Sequence, residues 1–131
     1  MLIDAFLELE REHPGRASLT VCGEGDSREV MPLVRKVRGA SLGDRVRWTG
    51  WIENPEEEIL KADVAVAPHR STDGGSTMIA ECLDRGLKVI STTGRARDGL
   101  FSSPEQGIFI RPDSVSELKE AMKSFIPLSD D

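Results

Sequence analysis

A chain of 131 residues can bury one hydrophobic core without disulfides or a structural metal, so residues 1–131 are expected to form a single domain. Its 38% hydrophobic and 31% charged residues exclude a disordered or fibrous protein, and its two cysteines, Cys22 and Cys82, exclude a zinc site or disulfide scaffold. A formal net charge of -6 provides no positive field for polyanions, which argues against long nucleic acid as a partner but leaves room for a small anionic ligand held by a helix N-terminus. In chain order, Leu2, Ile3, Phe6, Leu7 and Leu9 trace one helical face from Leu2 to Glu12, and His13, Pro14 and Gly15 end it. Ser18 to Cys22 is a short apolar strand that leaves through the glycine turn Gly23, Glu24, Gly25, Asp26. Val30, Leu33, Val34 and Val37 predict a second helix starting near Glu29, with Pro32 in its first turn. Arg45 to Thr49 and Asp63 to Ala67 read as strands around a helix from Pro55 to Lys61. Then follow a helix from Thr77 to Arg85 closed by Gly86, strands Lys88 to Ser91 and Ile108 to Arg111, and a helix from Val115 to Phe125 capped by Asp113 or Ser114.

Nearly all-apolar strands alternating with helices predict an α/β fold, a Rossmann-like parallel sheet with helices on both faces. Ligands in such sheets bind at the carboxyl ends of the strands, which directs attention to the loops after Cys22, Thr49, Ala67 and Ser91. Domains of this kind usually open on a strand, whereas this chain opens on a helix, so its first strand is expected to be lacking. An unpaired sheet edge would then be open to a partner chain or to self-association. No apolar run approaches the roughly 20 residues that span a bilayer. Asp4 and Glu8 stand where a secretory leader would be basic, so a cytoplasmic location without a transmembrane segment is expected.

The chemistry concentrates between Asp63 and Ser91. After the strand come Pro68, His69, Arg70, Ser71, Thr72, Asp73, Gly74, Gly75 and Ser76, and then a helix that carries Glu81. Glycines followed by Ser76 and Thr77 place bare backbone N–H groups at a helix N-terminus on the ligand side of the sheet, an arrangement suited to an anion. On this pattern alone, a plain turn is as good a reading as a phosphate cradle. His69 could donate to a sugar hydroxyl or a phosphate, although a lone loop histidine is more often a structural hydrogen bonder. Arg70, Arg95 and Arg97 follow strands and could hold a phosphate, but loop arginines are mostly solvated. Cys22 and Cys82 read as small buried side chains, Trp48 as core, and Trp51 as covering the sheet end or lying near a base.

The run from Ala67 to Gly86, APHRSTDGGSTMIAECLDRG, resembles the donor-binding segment of retaining GT-B glycosyltransferases that use UDP- or GDP-sugars. LTVCGEGD, RVRWTGWI, LKVISTTG and GIFIRPDSVSELKEAM resemble the flanking segments of that family in the expected order, so the resemblance covers nearly the whole chain. It implies the C-terminal, donor-binding half of a GT-B fold, whose substrate is a nucleotide diphospho-sugar and which needs no cofactor or metal. It further implies that Asp73 contacts hydroxyls of the transferred hexose and that Glu81 bonds the ribose. The N–H groups of Ser76, Thr77 and Met78 would face the diphosphate, and Gly23, Gly25, Gly50, His69, Gly74 and Gly75 would line the donor site. The chain departs from the family pattern where Asp73 replaces a glutamate and where Gly75 and Ser76 replace an aromatic residue and a glycine. The family's diphosphate-binding Arg and Lys, and its acceptor domain, match nothing in the chain. The resemblance therefore implies a transferase domain that is weakly active or inactive alone, working with an acceptor-domain chain. A degenerate, non-catalytic nucleotide-binding or interaction domain is the alternative. A different Rossmann-like domain, epimerase-like or response-regulator-like, would use Asp26 or Asp63 and needs no acidic pair around a glycine turn.

Overall fold

The Leu2–Glu12 periodicity folds as an amphipathic helix, α1, which buries Ile3, Phe6 and Leu9 while Arg11 and Glu12 face water. The computed structural model describes residues 1–22, 27–68 and 76–126, the side chains of Ser76, Arg95 and Ala96 excepted. After α1 the described residues alternate: β1 (Leu19–Cys22), α2 (Ser27–Gly39), β2 (Val46–Gly50), α3 (Glu56–Lys61), β3 (Val64–Ala67), α4 (Ser76–Asp84), β4 (Lys88–Thr92), α5 (Arg95–Asp98), β5 (Gly107–Ile110) and α6 (Val115–Lys123). Every strand pair is parallel, β1 with β2, β3 with β4, and β4 with β5.

Three elements differ from the sequence reading. α2 starts at Ser27 rather than near Glu29, which puts Pro32 inside the helix, at its sixth residue and beyond the first turn. Only the amides of the first turn lack an intrahelical acceptor, so Pro32 removes one internal bond, and α2 buries only Val37 of its predicted stripe. The short α5 and a 3-10 turn at Pro104–Gln106 were not predicted, because neither carries enough residues to show a hydrophobic period. Ser114, not Asp113, caps α6 by accepting a hydrogen bond from the Glu117 amide at 3.3 Å.

The strands form two sheets rather than one, β1–β2 and β3–β4–β5. Among the described strands, β1 pairs only with β2 and β3 only with β4, so each has one edge without a strand opposite. α1 holds the halves together. Its Ile3 and Phe6 pack with Val37 and Val46 on the β1–β2 side, while Ala5 and Leu9 pack with Ile90, Ile110 and Leu118 on the other. Burying each large side chain of this kind contributes roughly 1.5–3 kcal/mol, so the hydrophobic seam under α1, rather than strand pairing, joins the two halves. α6 lies alongside α1, where Lys119 pairs with Glu12 at 2.7 Å and holds that carboxyl below its usual range.

Candidate functional site

The carboxyl ends of the strands converge as the fold class requires. Thr92 Oγ1 donates to the Ala67 carbonyl at 3.3 Å, tying the ends of β4 and β3, and Gly50 at the end of β2 lies opposite Cys22 at the end of β1. Gly50 has φ +68 with open space where a Cβ would stand, so backbone conformation, not crowding, favours glycine there. Thr49 Oγ1 donates to the Gly50 carbonyl at 2.8 Å, fixing this turn. Cys82 on α4 packs with Ala67 at the end of β3.

α4 begins at Ser76, the next described element after β3, so the first-turn amides of Ser76, Thr77 and Met78 are those left without intrahelical acceptors. Ile79 and Cys82 anchor the helix against Ala67 and Val89, and Met78 packs beside them, its Sδ accepting from Cys82 Sγ at 3.6 Å. Thr77 on the adjacent turn is exposed, and Glu81 is half-buried without an ion pair to any described residue. Of the predicted site residues, Gly50 ends β2, and Ser76, Thr77, Met78 and Glu81 lie on α4. Gly23, Gly25, His69, Asp73, Gly74 and Gly75 lie outside the described residues, as does Arg70. Trp51 is 66% exposed, and Trp48 is packed at the border of the β1–β2 core as its strand position predicted.

Burial pushes the Cys82 thiol up, with the neighbouring Glu81 carboxylate and Cys22 adding to it, whereas Cys22 is exposed at the sheet end. Iodoacetamide at pH 8 is therefore expected to label Cys22 in the native protein and to reach Cys82 only after denaturation. Mass spectrometry of tryptic peptides checks this, and equal labelling of both thiols would contradict it. The exposure of Cys22 also corrects the reading of a buried strand end.

Arg97 is the residue whose role the sequence did not reveal. Read as a solvated loop side chain, it is instead fully buried, with Nε donating to the Thr92 carbonyl at 2.9 Å and Nη2 to the Thr93 carbonyl at 3.0 Å. A Cβ on Gly94 would stand 2.4 Å from Arg97 Nη2, so the guanidinium lies directly against bare glycine backbone. Asp98 closes the same turn by accepting from the Gly94 amide at 3.1 Å. Together these contacts make the β4–α5 turn a fixed wall at the carboxyl end of the sheet, next to α4. One arginine among polar loop residues gives no periodic signal, so only packing could show its burial.

Residues 1–127 match the family described as glycosyl transferases group 1. The chain belongs to the glycosyl transferases group 1 family. Among curated proteins, an exopolysaccharide phosphotransferase of Streptomyces coelicolor is 25% identical over 92% of this chain, which covers 12% of that protein. Among solved structures, HepE of Anabaena in complex with UDP superposes with a TM-score of 0.81 at 17% identity, over 94% of this chain and 34% of HepE. The C-terminal domain of the group 1 protein LpcC from Francisella tularensis gives 0.76 at 20% identity, over 94% of this chain and 65% of that one. The group 1 domain described here thus has the Rossmann-like fold of a GT-B C-terminal half and spans only a part of these relatives. Among the described residues no helix is long and apolar enough to cross a membrane.

Proposed function

We propose that this group 1 domain binds the donor, a UDP- or GDP-linked hexose, for a glycosyltransferase that retains anomeric configuration and whose acceptor is bound by a separate domain. The observation that carries this reading is α4, the helix that follows β3 and packs on Ala67 at its carboxyl end, with Glu81 half-buried on it and unpaired among the described residues. A helix of nine residues directs its first amides and the positive end of its dipole at one point, where a diphosphate would be held and the charge of the departing nucleotide offset. In this reading the amides of Ser76, Thr77 and Met78 face the diphosphate, Glu81 accepts from a ribose hydroxyl, and Asp73 contacts the sugar. Gly23, Gly25, Gly50, His69, Gly74 and Gly75 line the remaining donor site, with no metal or cofactor. The UDP named with the superposing HepE supports the choice of a nucleotide diphosphate.

A second reading is a non-catalytic nucleotide-binding domain of the same fold. It draws on Asp73, Gly75 and Ser76, which depart from the donor-loop pattern, and on a relative named for phosphotransfer rather than glycosyl transfer.

Calorimetry with UDP, GDP and UDP-glucose tests the reading. Glu81→Ala is expected to weaken UDP binding about tenfold, the loss of one hydrogen bond to a charged acceptor. Asp73→Ala is expected to leave UDP affinity unchanged while abolishing any preference for UDP-glucose over UDP. A folded domain that takes up no nucleotide at millimolar concentration would refute donor binding, and equal losses for UDP and UDP-glucose in Asp73→Ala would refute the role given to Asp73. Binding without turnover once an acceptor domain is supplied would favour the second reading.

A further inference from the structure

β5 borders the three-stranded sheet: it pairs with β4 on one side, and among the described strands none lies on the other. Which backbone groups face that open side follows from one hydrogen bond. The Thr93 amide donates to the Ile110 carbonyl at 2.9 Å, so the N–H and C=O of Ile110, and of Ile108 two residues earlier, face β4. Those of Gly107 and Phe109 face outward by alternation. Arg111 is next in that row, but its amide already donates to Glu117 Oε1 at 3.0 Å. At the other end Glu105 lies within the 3-10 turn Pro104–Gln106. The open edge therefore consists of Gly107 and Phe109, each with one donor and one acceptor.

The side chains along this edge are apolar and incompletely covered. Ile108 and Ile110 face α6, and an open groove beside them is lined also by Ala121, Ser124, Glu117 and Glu120. Phe109 points to the opposite face, meets the Phe101 ring edge-on with centroids 4.7 Å apart, and is still 41% exposed. Gly107 is the bare position on that same face, where a Cβ would stand 2.6 Å from the Phe101 ring. Gly107–Ile110 contains no charged residue and no proline, the residues that ordinarily blunt an exposed edge.

We propose that β5 pairs antiparallel with β5 of a second copy of this chain, about a two-fold axis at Ile108, so that one sheet continues across both protomers. Directly opposite residues of antiparallel strands exchange both hydrogen bonds at every second position. A centre at Ile108 sets Gly107 against the partner's Phe109 and Phe109 against the partner's Gly107, so all the outward groups are used. Ile108 then faces the partner's Ile108 at the close position between them, with Cα atoms about 4.5 Å apart. A centre at Phe109 would instead require the Arg111 amide, which Glu117 holds. The Ile108 centre also lays the partner's Phe109 across bare Gly107, beside the Phe101 ring, a cross-strand pairing in which an aromatic side chain covers a glycine. It brings Glu105, ahead of the strand, towards the partner's Arg111, past its end, so opposite charges meet twice. One short strand thus supplies both halves of the fit, as a two-fold contact demands. The proposal is independent of donor binding, because it uses the outer edge of β5 and none of the donor-loop residues.

Sedimentation of the whole chain should show a monomer–dimer equilibrium with Kd on the order of 10–100 µM, the weak class to which so small a contact belongs. Phe109→Lys puts a charge on an already exposed edge position and should weaken dimerisation about tenfold or more, while circular dichroism and urea unfolding verify the fold. Glu105→Arg should weaken it severalfold by facing the partner's Arg111, and adding Arg111→Glu should restore the contact. Cross-linking in a Cys22→Ser background reads the register. Ile108→Cys should oxidise readily to a disulfide-linked dimer, whereas Arg111→Cys, about 20 Å from its counterpart in this register, should not. A chain that stays monomeric at millimolar concentration, a dimer unaffected by Phe109→Lys, or Arg111→Cys cross-linking as fast as Ile108→Cys would each overturn the proposal.

Discussion

Arg97→Ala is expected to lower the folding stability of the domain by about 3 kcal/mol or more, measured as the shift in urea unfolding. The guanidinium is fully buried and bonds the Thr92 and Thr93 carbonyls, so truncation deprives the buried Thr92 carbonyl of this donor and opens a cavity as large as the side chain. Arg97→Lys keeps the charge, but a single ammonium on a flexible stem does not reproduce the planar fork that reaches two carbonyls, so it should recover less than half of the loss. Gly94 supplies the control. Gly94→Ala places a Cβ 2.4 Å from Arg97 Nη2, so it should destabilise the wild-type background and cost much less when Arg97 is already alanine. Additive losses in this double-mutant cycle would show that the two residues do not act through the contact seen here. A loss for Arg97→Ala below about 1 kcal/mol would place the guanidinium in solvent, contrary to its burial.

Phe6→Ala is expected to cost about 3–5 kcal/mol, the range for removing a buried aromatic ring. Folded proteins stand only about 5–15 kcal/mol below their unfolded state, so such a loss consumes a large share of the total. Phe6 is 2% exposed and packs with Ile3, Val37 and Val46, on the side of α1 that holds the β1–β2 sheet. Since no strand pairing joins the two sheets among the described residues, the loss should be uneven. Amides of β1 and β2 should exchange much faster, while those of β4, buried under Leu9 and Leu118, should keep most of their protection. Uniform acceleration across all five strands would show that the halves unfold as one unit and that α1 is not the main tie between them. Leu2→Ala, at a partly buried position on the same helix, should cost well under the Phe6 value and serves as the comparison.

What the sequence determined by itself is the local and periodic part of this protein. Ile3, Phe6 and Leu9 recur at helical spacing, and α1 spans Leu2–Glu12 as read; apolar runs bounded by Gly or Pro placed β1, β2 and β3 to within a residue at either end. The alternation of helix and strand was enough for a parallel α/β fold, and the resemblance around Ala67 to Gly86 pointed to a GT-B glycosyltransferase, in keeping with the group 1 family match. Those features are legible because period, breaker residues and caps act through neighbours in the chain. The start of α2 was missed because Pro32 suggested a first turn, while the helix accepts it further in.

Only the tertiary structure decided the matters that depend on residues far apart in sequence. The burial of Arg97 comes from its packing against the β4–α5 turn, and no local pattern distinguishes such an arginine from a solvated one. The break between β1 and β3 was readable only as a lacking strand, because strand order is set by which edges meet in space, a non-local choice that side-chain periodicity does not encode. The same holds for α1, whose single apolar face was plain in the sequence. That its two flanks serve two separate half-sheets follows only from where those sheets lie.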